Sequence, residues 1–149
     1  IWYTPLNLIQ AMKNVTKTQL KDLVYQVNGA AIEVHKRLGP GLLETVYHQC
    51  LIKELELRNI NSISEYNIPI NYKGFELESK LRCDILVEDI LVVELKAVAE
   101  INPIYEAQLL TYMNLLQKPI GLLINFNVKN IYYEGQQTYV NEIYKTLWD

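Results

Sequence analysis

The stretch ILVVELKAV, Ile90–Val98, reads as a buried β-strand interrupted by two charges. Seven of its nine residues are apolar and β-branched side chains recur, as strands favour. Yet Glu94 and Lys96 stand in its middle. Side chains two apart on a strand share a face, so the carboxylate and the ammonium must point the same way. What they do there depends on the strand before them, FELESKLRCDILV (Phe75–Val87), which leads into a tight turn around Glu88-Asp89.

Asp84 lies ten residues before Glu94. A two-residue loop at Glu88-Asp89 would pair Asp84 with Val93 and send the two carboxylates to opposite faces. A three-residue loop, Glu88 to Ile90, or a single bulge would set Asp84 opposite Glu94. The second register is the expected one. It gives one face Lys80, Arg82, Asp84, Glu94 and Lys96, and the other, the core face, Leu81, Cys83, Ile85, Val87, Val93, Leu95 and Ala97. Opposed carboxylates repel unless a cation lies between them or one is protonated. Hard oxygen ligands suit Mg²⁺ or Mn²⁺. Lys96 beside such an ion would orient or activate a water, or neutralise charge on a phosphoryl oxygen. The alternative is a buried Glu94–Lys96 or Arg82–Asp84 ion pair serving structure alone.

At 149 residues the chain is read as one domain able to bury a sizeable core. Half the residues are hydrophobic and 21% are charged, as in ordinary soluble proteins. No apolar run approaches the ~18–20 residues that span a bilayer, so no membrane association is expected. The opening IWYTPLNLIQAMKN lacks a secretory signal and an initiator Met, and reads as a trimmed or partial N-terminus. Cys50 and Cys83 are too few for a disulfide framework or a zinc site, which fits a reducing, cytoplasmic setting. A net charge of −3 excludes a protein that coats nucleic acid through bulk basicity, so any such role must rest on a local site.

Along the chain, Leu20, Leu23, Val24, Val27, Ala31, Val34 and Leu38 recur at helical spacing from Thr18 to the break at Gly39-Pro40-Gly41. A second helix carries Leu43, Val46, Tyr47, Cys50, Leu51 and Leu55 on one face, with KELELR (Lys53–Arg58) as its exposed side, and ends near Asn59. SISEYNIPINY reads as a strand that Pro69 makes an edge or a bulge, and Lys73-Gly74 as a turn. Asn102 caps a third helix with Pro103 in its first position. PIGLLINFN and NIYYEG are expected as two final strands, the second alternating Tyr132 and Tyr133, before a short helix in VNEIYKTLW. The order is that of a mixed α/β domain around one central sheet.

Asp84 followed by Glu94-Leu95-Lys96 resembles the D…(D/E)XK core of the PD-(D/E)XK nuclease superfamily. GLLETVY, Gly41–Tyr47, is similar to the motif that names its GxxExxY family. AAIEVHKRLGPGLLETVYHQCL, CDILVEDILVVELKAV and KPIGLLINF also look like that family. The likeness runs from about Leu20 to Phe126, and Cys83 stands where the PD-(D/E)XK motif often has proline. The resemblance implies a restriction-endonuclease-like core, a central mixed sheet flanked by helices, over residues 18–149, with 1–17 as an N-terminal extension. It implies that Glu44, Asp84, Glu94 and the Leu95 carbonyl hold the metal and that Lys96 is the catalytic lysine. Gln108 and Tyr112, in QLLTY, resemble the QxxxY motif of the RecB-like branch and share a helix face. His35 stands where some RecB-like relatives point a histidine at the site, though a lone helical histidine reads first as capping or packing.

The expected function is therefore a Mg²⁺- or Mn²⁺-dependent nuclease acting on nucleic acid, DNA in the first instance, with Lys80 and Arg82 either placed for phosphate contacts or forming a solvated face. The rival readings are a catalytically silent binding or assembly module on the same fold, or a nuclease subunit needing a partner. A homo-oligomer or a partner protein is compatible with either.

Overall fold

The β-strand opened by Leu91 has a hydrogen-bonded neighbouring strand on each side. The computed structural model describes residues 14–149. A five-stranded sheet runs in the order β1-β4-β5-β6-β7. Its strands are β1 Ser62–Asn67, β4 Arg82–Val87, β5 Leu91–Lys96, β6 Ile120–Asn125 and β7 Gln136–Val140. β5 and β6 are parallel and the other neighbours antiparallel, so the sheet is mixed as expected. The parallel step is made through helix α3, Pro103–Leu116, since parallel strands need a crossover. The remaining helices are α1 Lys17–Leu38, α2 Glu44–Leu57 and the short α4 Glu142–Lys145.

The helix ends follow local chemistry. Thr16 and Gln19 form a reciprocal capping box at the start of α1, and Gly39, at φ +74°, ends it. Asn102 accepts the Ile104 N–H and Pro103 opens α3. Thr16 bridges Trp148, and the Lys17 N–H donates to the Trp148 carbonyl at 2.7 Å, tying α1 to the C-terminal segment. Residues 1–13, most of the expected N-terminal extension, lie outside the described residues.

Both faces of the sheet are covered, not one. Leu20, Val27, Val34, Tyr47 and Leu51 of α1 and α2 pack on Ile85, Val87, Val93, Leu95 and Ile124. On the opposite face, Leu109, Tyr112 and Met113 of α3 pack on Leu86, Val92 and Leu123. The face expected to be charged is therefore core over part of its length. Cys83, expected beside Ile85, packs on the α3 side instead. The loss of alternation coincides with a gap in the β1–β4 ladder: the register is the same on either side, but Glu65, opposite Asp84, takes a left-handed φ of +51° and is left out of the pairing.

Three further expectations change. The long strands around Pro69 and Lys80 are each broken, leaving a separate two-stranded hairpin, β2 Ile70–Tyr72 and β3 Phe75–Leu77. Pro69, which has no N–H to give a ladder, separates β1 from β2. Lys80 consequently lies in the irregular segment before β4, not on the strand. NIYYEG is a π-helical turn, Ile131–Gly135, in which the Asn130 side chain accepts the Tyr133 N–H, and the final strand begins only at Gln136.

Candidate active site

The β4–β5 turn spans Glu88, Asp89 and Ile90, closed by the Ile90 N–H on the Val87 carbonyl. The pairs Val87↔Leu91, Leu86↔Val92 and Ile85↔Val93 extend this three-residue register directly toward Asp84 and Glu94. Past Ile85↔Val93 the two strands are joined by side chains. Glu94 Oε1 accepts the Asp84 N–H at 3.2 Å, and Asp84 Oδ2 accepts the Leu95 N–H at 2.8 Å. Each carboxylate thus occupies a backbone donor of the other strand, and the pair sits where the strands fork. The Leu95 carbonyl leaves β5 on the same edge as its N–H, toward Asp84.

Glu94 is only 5% exposed. Burial first, and then the Asp84 charge, raise its carboxyl far above the ordinary carboxylate range. Lys96 follows on the same face, its ammonium 4.3 Å from the centre of the Tyr105 ring. The ion pairs that would have given these charges a purely structural role are not formed. Among the described residues Arg82 reaches Glu65 at 3.7 Å rather than Asp84, and Lys96 rests on Tyr105 rather than Glu94.

Glu44 is the first residue of α2. Burial, then the Asp84 charge, raise its carboxyl, while Lys96 and His48 pull it down. Helix α2 therefore brings Glu44 within the electrostatic field of the sheet acids. Among the described residues, however, no three His, Cys, Asp or Glu side chains are gathered into a ready-made metal cage.

The other expected residues divide. Gln108 Nε2 donates to the Tyr112 hydroxyl at 2.8 Å, and Tyr112, nearly buried, has its phenol raised by burial and by the Glu94 charge. The QLLTY pair thus stands over the Glu94 side of the sheet. His35 Nε2 donates to the Val128 carbonyl at 2.8 Å, a bond that fastens α1 to the segment after β6. Arg82 and Lys80 are exposed and precede Asp84 along the chain. Tyr47, the last position of GLLETVY, donates to the Gly39 carbonyl at 2.6 Å, accepts the Leu42 N–H at 3.1 Å and stacks on Phe126. Its hydroxyl locks the loop that delivers Glu44.

A family model for the PD-(D/E)XK nuclease superfamily matches residues 21–137. The chain belongs to the PD-(D/E)XK nuclease superfamily. No curated protein and no solved structure matches it. As a chain of this nuclease superfamily, it presents a donor set that suits a divalent cation. Two carboxyls brought together in a buried fork, with that of Glu94 pushed strongly up by burial and by its neighbour, are hard oxygen donors that a positive charge would satisfy.

Two residues of the nuclease fold were not anticipated. Tyr105 seats Lys96 from the first turn of α3. Asn125, 4% exposed and in register with Lys96, accepts the Val98 N–H and donates to the Val98 carbonyl, fixing the chain just beyond the lysine. The signal for Asn125 was present in PIGLLINFN, where it breaks an otherwise apolar run. Nothing in the spacing of Lys96 and Tyr105 announces their contact.

Proposed function

We propose that this chain is a metal-dependent nuclease that hydrolyses phosphodiester bonds of nucleic acid, with DNA as the preferred substrate. The reading rests on one observation above all: Asp84 and Glu94 held carboxyl to carboxyl at the fork of β4 and β5, with Lys96 next on the same face. Glu44, Asp84, Glu94 and the Leu95 carbonyl would hold Mg²⁺ or Mn²⁺, which supplies Lewis acidity toward the phosphate and a more acidic water. Lys96 would position a water for attack at phosphorus and offset the negative charge that grows on the phosphoryl oxygens. The water oxygen forms the new P–O bond as the ester oxygen departs and takes up a proton. Gln108 and Tyr112 hold the substrate backbone, and Arg82 and Lys80 meet flanking phosphates. GLLETVY and QLLTY support placing the chain in the GxxExxY, RecB-like branch of the superfamily. Purified protein should cleave DNA with Mg²⁺ or Mn²⁺, and Lys96→Ala should abolish cleavage. Activity that survives this change in a folded variant would overturn the assignment.

A second reading, a nuclease-fold binding or assembly module without catalysis, is favoured by the absence of a closed three-acid cluster among the described residues and by the net charge of −3. Calorimetry with Mn²⁺ separates the two. A nuclease binds the ion and loses it on Glu94→Gln, whereas a module shows no binding or binding indifferent to that change. A subunit that depends on a partner would bind Mn²⁺ but cleave only when a co-expressed neighbour is restored.

A further inference from the structure

Between Asn67 and Arg82 the chain leaves the central sheet, forms the β2–β3 hairpin and returns. These two strands pair with each other alone. Lys73 and Gly74, at φ +51° and +87°, make the two-residue turn that matches hairpin twist. The register sets Ile70 opposite Leu77 and Tyr72 opposite Phe75 on one face, and Asn71 opposite Glu76 on the other. An isolated two-stranded hairpin is marginal in water and would ordinarily bury its apolar face. Here Tyr72, Phe75 and Leu77 are 60%, 70% and 51% exposed. The Lys73 ammonium lies 5.5 Å from the centre of the Tyr72 ring, placing a cation beside the aromatic pair.

The position of the hairpin bears on what covers it. Its foot is the Asn67↔Arg82 pair, and Asp84 lies two residues further along β4. A groove lined by Asn67, Ile70, Leu77 and Lys80 runs along the same foot. Two exposed rings with a lysine at the tip thus stand on the segment that leads directly into Asp84.

We propose that the β2–β3 hairpin is a base-stacking finger: Tyr72 and Phe75 take up unpaired bases of a strand whose backbone continues to the acids at the sheet fork. The favoured substrate is then single-stranded or frayed nucleic acid. This deepens the nuclease reading and rests on it. Stacking requires a free π-face, which a base inside a duplex does not offer. Glu76 and Glu78 line the same groove, so the hairpin is no phosphate-tracking channel. The finger contributes through the rings, with Lys73 adding about one phosphate contact, and most of its effect is insensitive to salt.

The test is fluorescence anisotropy on the full chain in EDTA, which prevents metal-dependent cleavage. The probes are labelled single strands of DNA and RNA, a DNA duplex with an overhang, and a blunt duplex. The wild type should prefer an unpaired strand. Tyr72→Ala combined with Phe75→Ala should weaken that binding about tenfold or more, leaving the blunt duplex and the salt slope unchanged. Phe75→Leu, which keeps apolar bulk but removes the π-face, carries the test if the double variant fails to fold, and should also weaken unpaired-strand binding. No preference for unpaired strands, or equal binding by wild type and Phe75→Leu, overturns the proposal. So does a wild-type dimer in sedimentation that the double substitution turns to monomer, since the face is then a contact between copies. Loss of stacking without any cleavage would remove the nuclease reading and leave the finger; cleavage with unaltered stacking would do the reverse.

Discussion

Glu94 is held almost wholly out of water against a second carboxylate, and stability should register that strain through pH. Its folded-state affinity for a proton is raised above that of the unfolded chain, and Glu44 shifts the same way. A raised carboxyl contributes stability that is complete below the ordinary carboxylate range and declines as pH rises through neutrality, because the unfolded chain releases the proton first. In EDTA, the wild type should therefore lose more stability than Glu94→Gln between about pH 5 and about pH 8 in parallel thermal melts. Identical profiles would mean that Glu94 is not strained. Tyr47 makes a second residue-scale case. Tyr47→Phe keeps the stack on Phe126 but removes both bonds to the Gly39–Leu42 loop, and should cost about 1–2 kcal/mol in denaturant unfolding. The three-residue loop that sets Asp84 against Glu94 was legible in the sequence. The contact of Lys96 with Tyr105 was not, since it joins a strand to a helix and depends on how α3 docks.

Among the elements, those defined by local chemistry could be read directly. Asn102 and Pro103 start α3 where a cap and a preset φ require it, and Gly39 ends α1. NIYYEG could not, because its isoleucine and tyrosines favour a strand, while a cap from Asn130 and a close approach to β6 set a helical turn. Asn130 bonds back to Tyr133, and Gly135 passes so close to β6 that a Cβ there would lie 2.7 Å from the Asn125 carbonyl oxygen. Gly135→Ala should accordingly cost about 1–3 kcal/mol. Because the displaced carbonyl belongs to the residue that pins the segment after Lys96, cleavage should fall along with Tm. An alanine variant as stable as wild type would show that this close approach is not needed. The broken strands around Pro69 and Lys80 have a comparable cause: alternating residues on an exposed hairpin look like those of a sheet edge.

For the molecule as a whole, the mixed sheet followed from the order of elements, and the likeness to the nuclease superfamily from segments spread across most of the chain. That both faces are core did not, since Leu86 and Val92, which α3 covers, lie on strands that also carry charged residues. The whole-molecule consequence is linkage between folding and metal. A ligand that binds only the native state adds about 2.7 kcal/mol at a hundredfold excess over its Kd. Mn²⁺ should thus raise the Tm of the wild type by several degrees and leave that of Glu94→Gln nearly unchanged. The most direct measurement is a crystal structure of the protein soaked in Mn²⁺, read by anomalous scattering. A peak between the Asp84 and Glu94 carboxylates, within reach of the Leu95 carbonyl and with Glu44 turned toward it, is the predicted result. Anomalous density elsewhere, or none at the fork in crystals that hold the ion at another place, would contradict it.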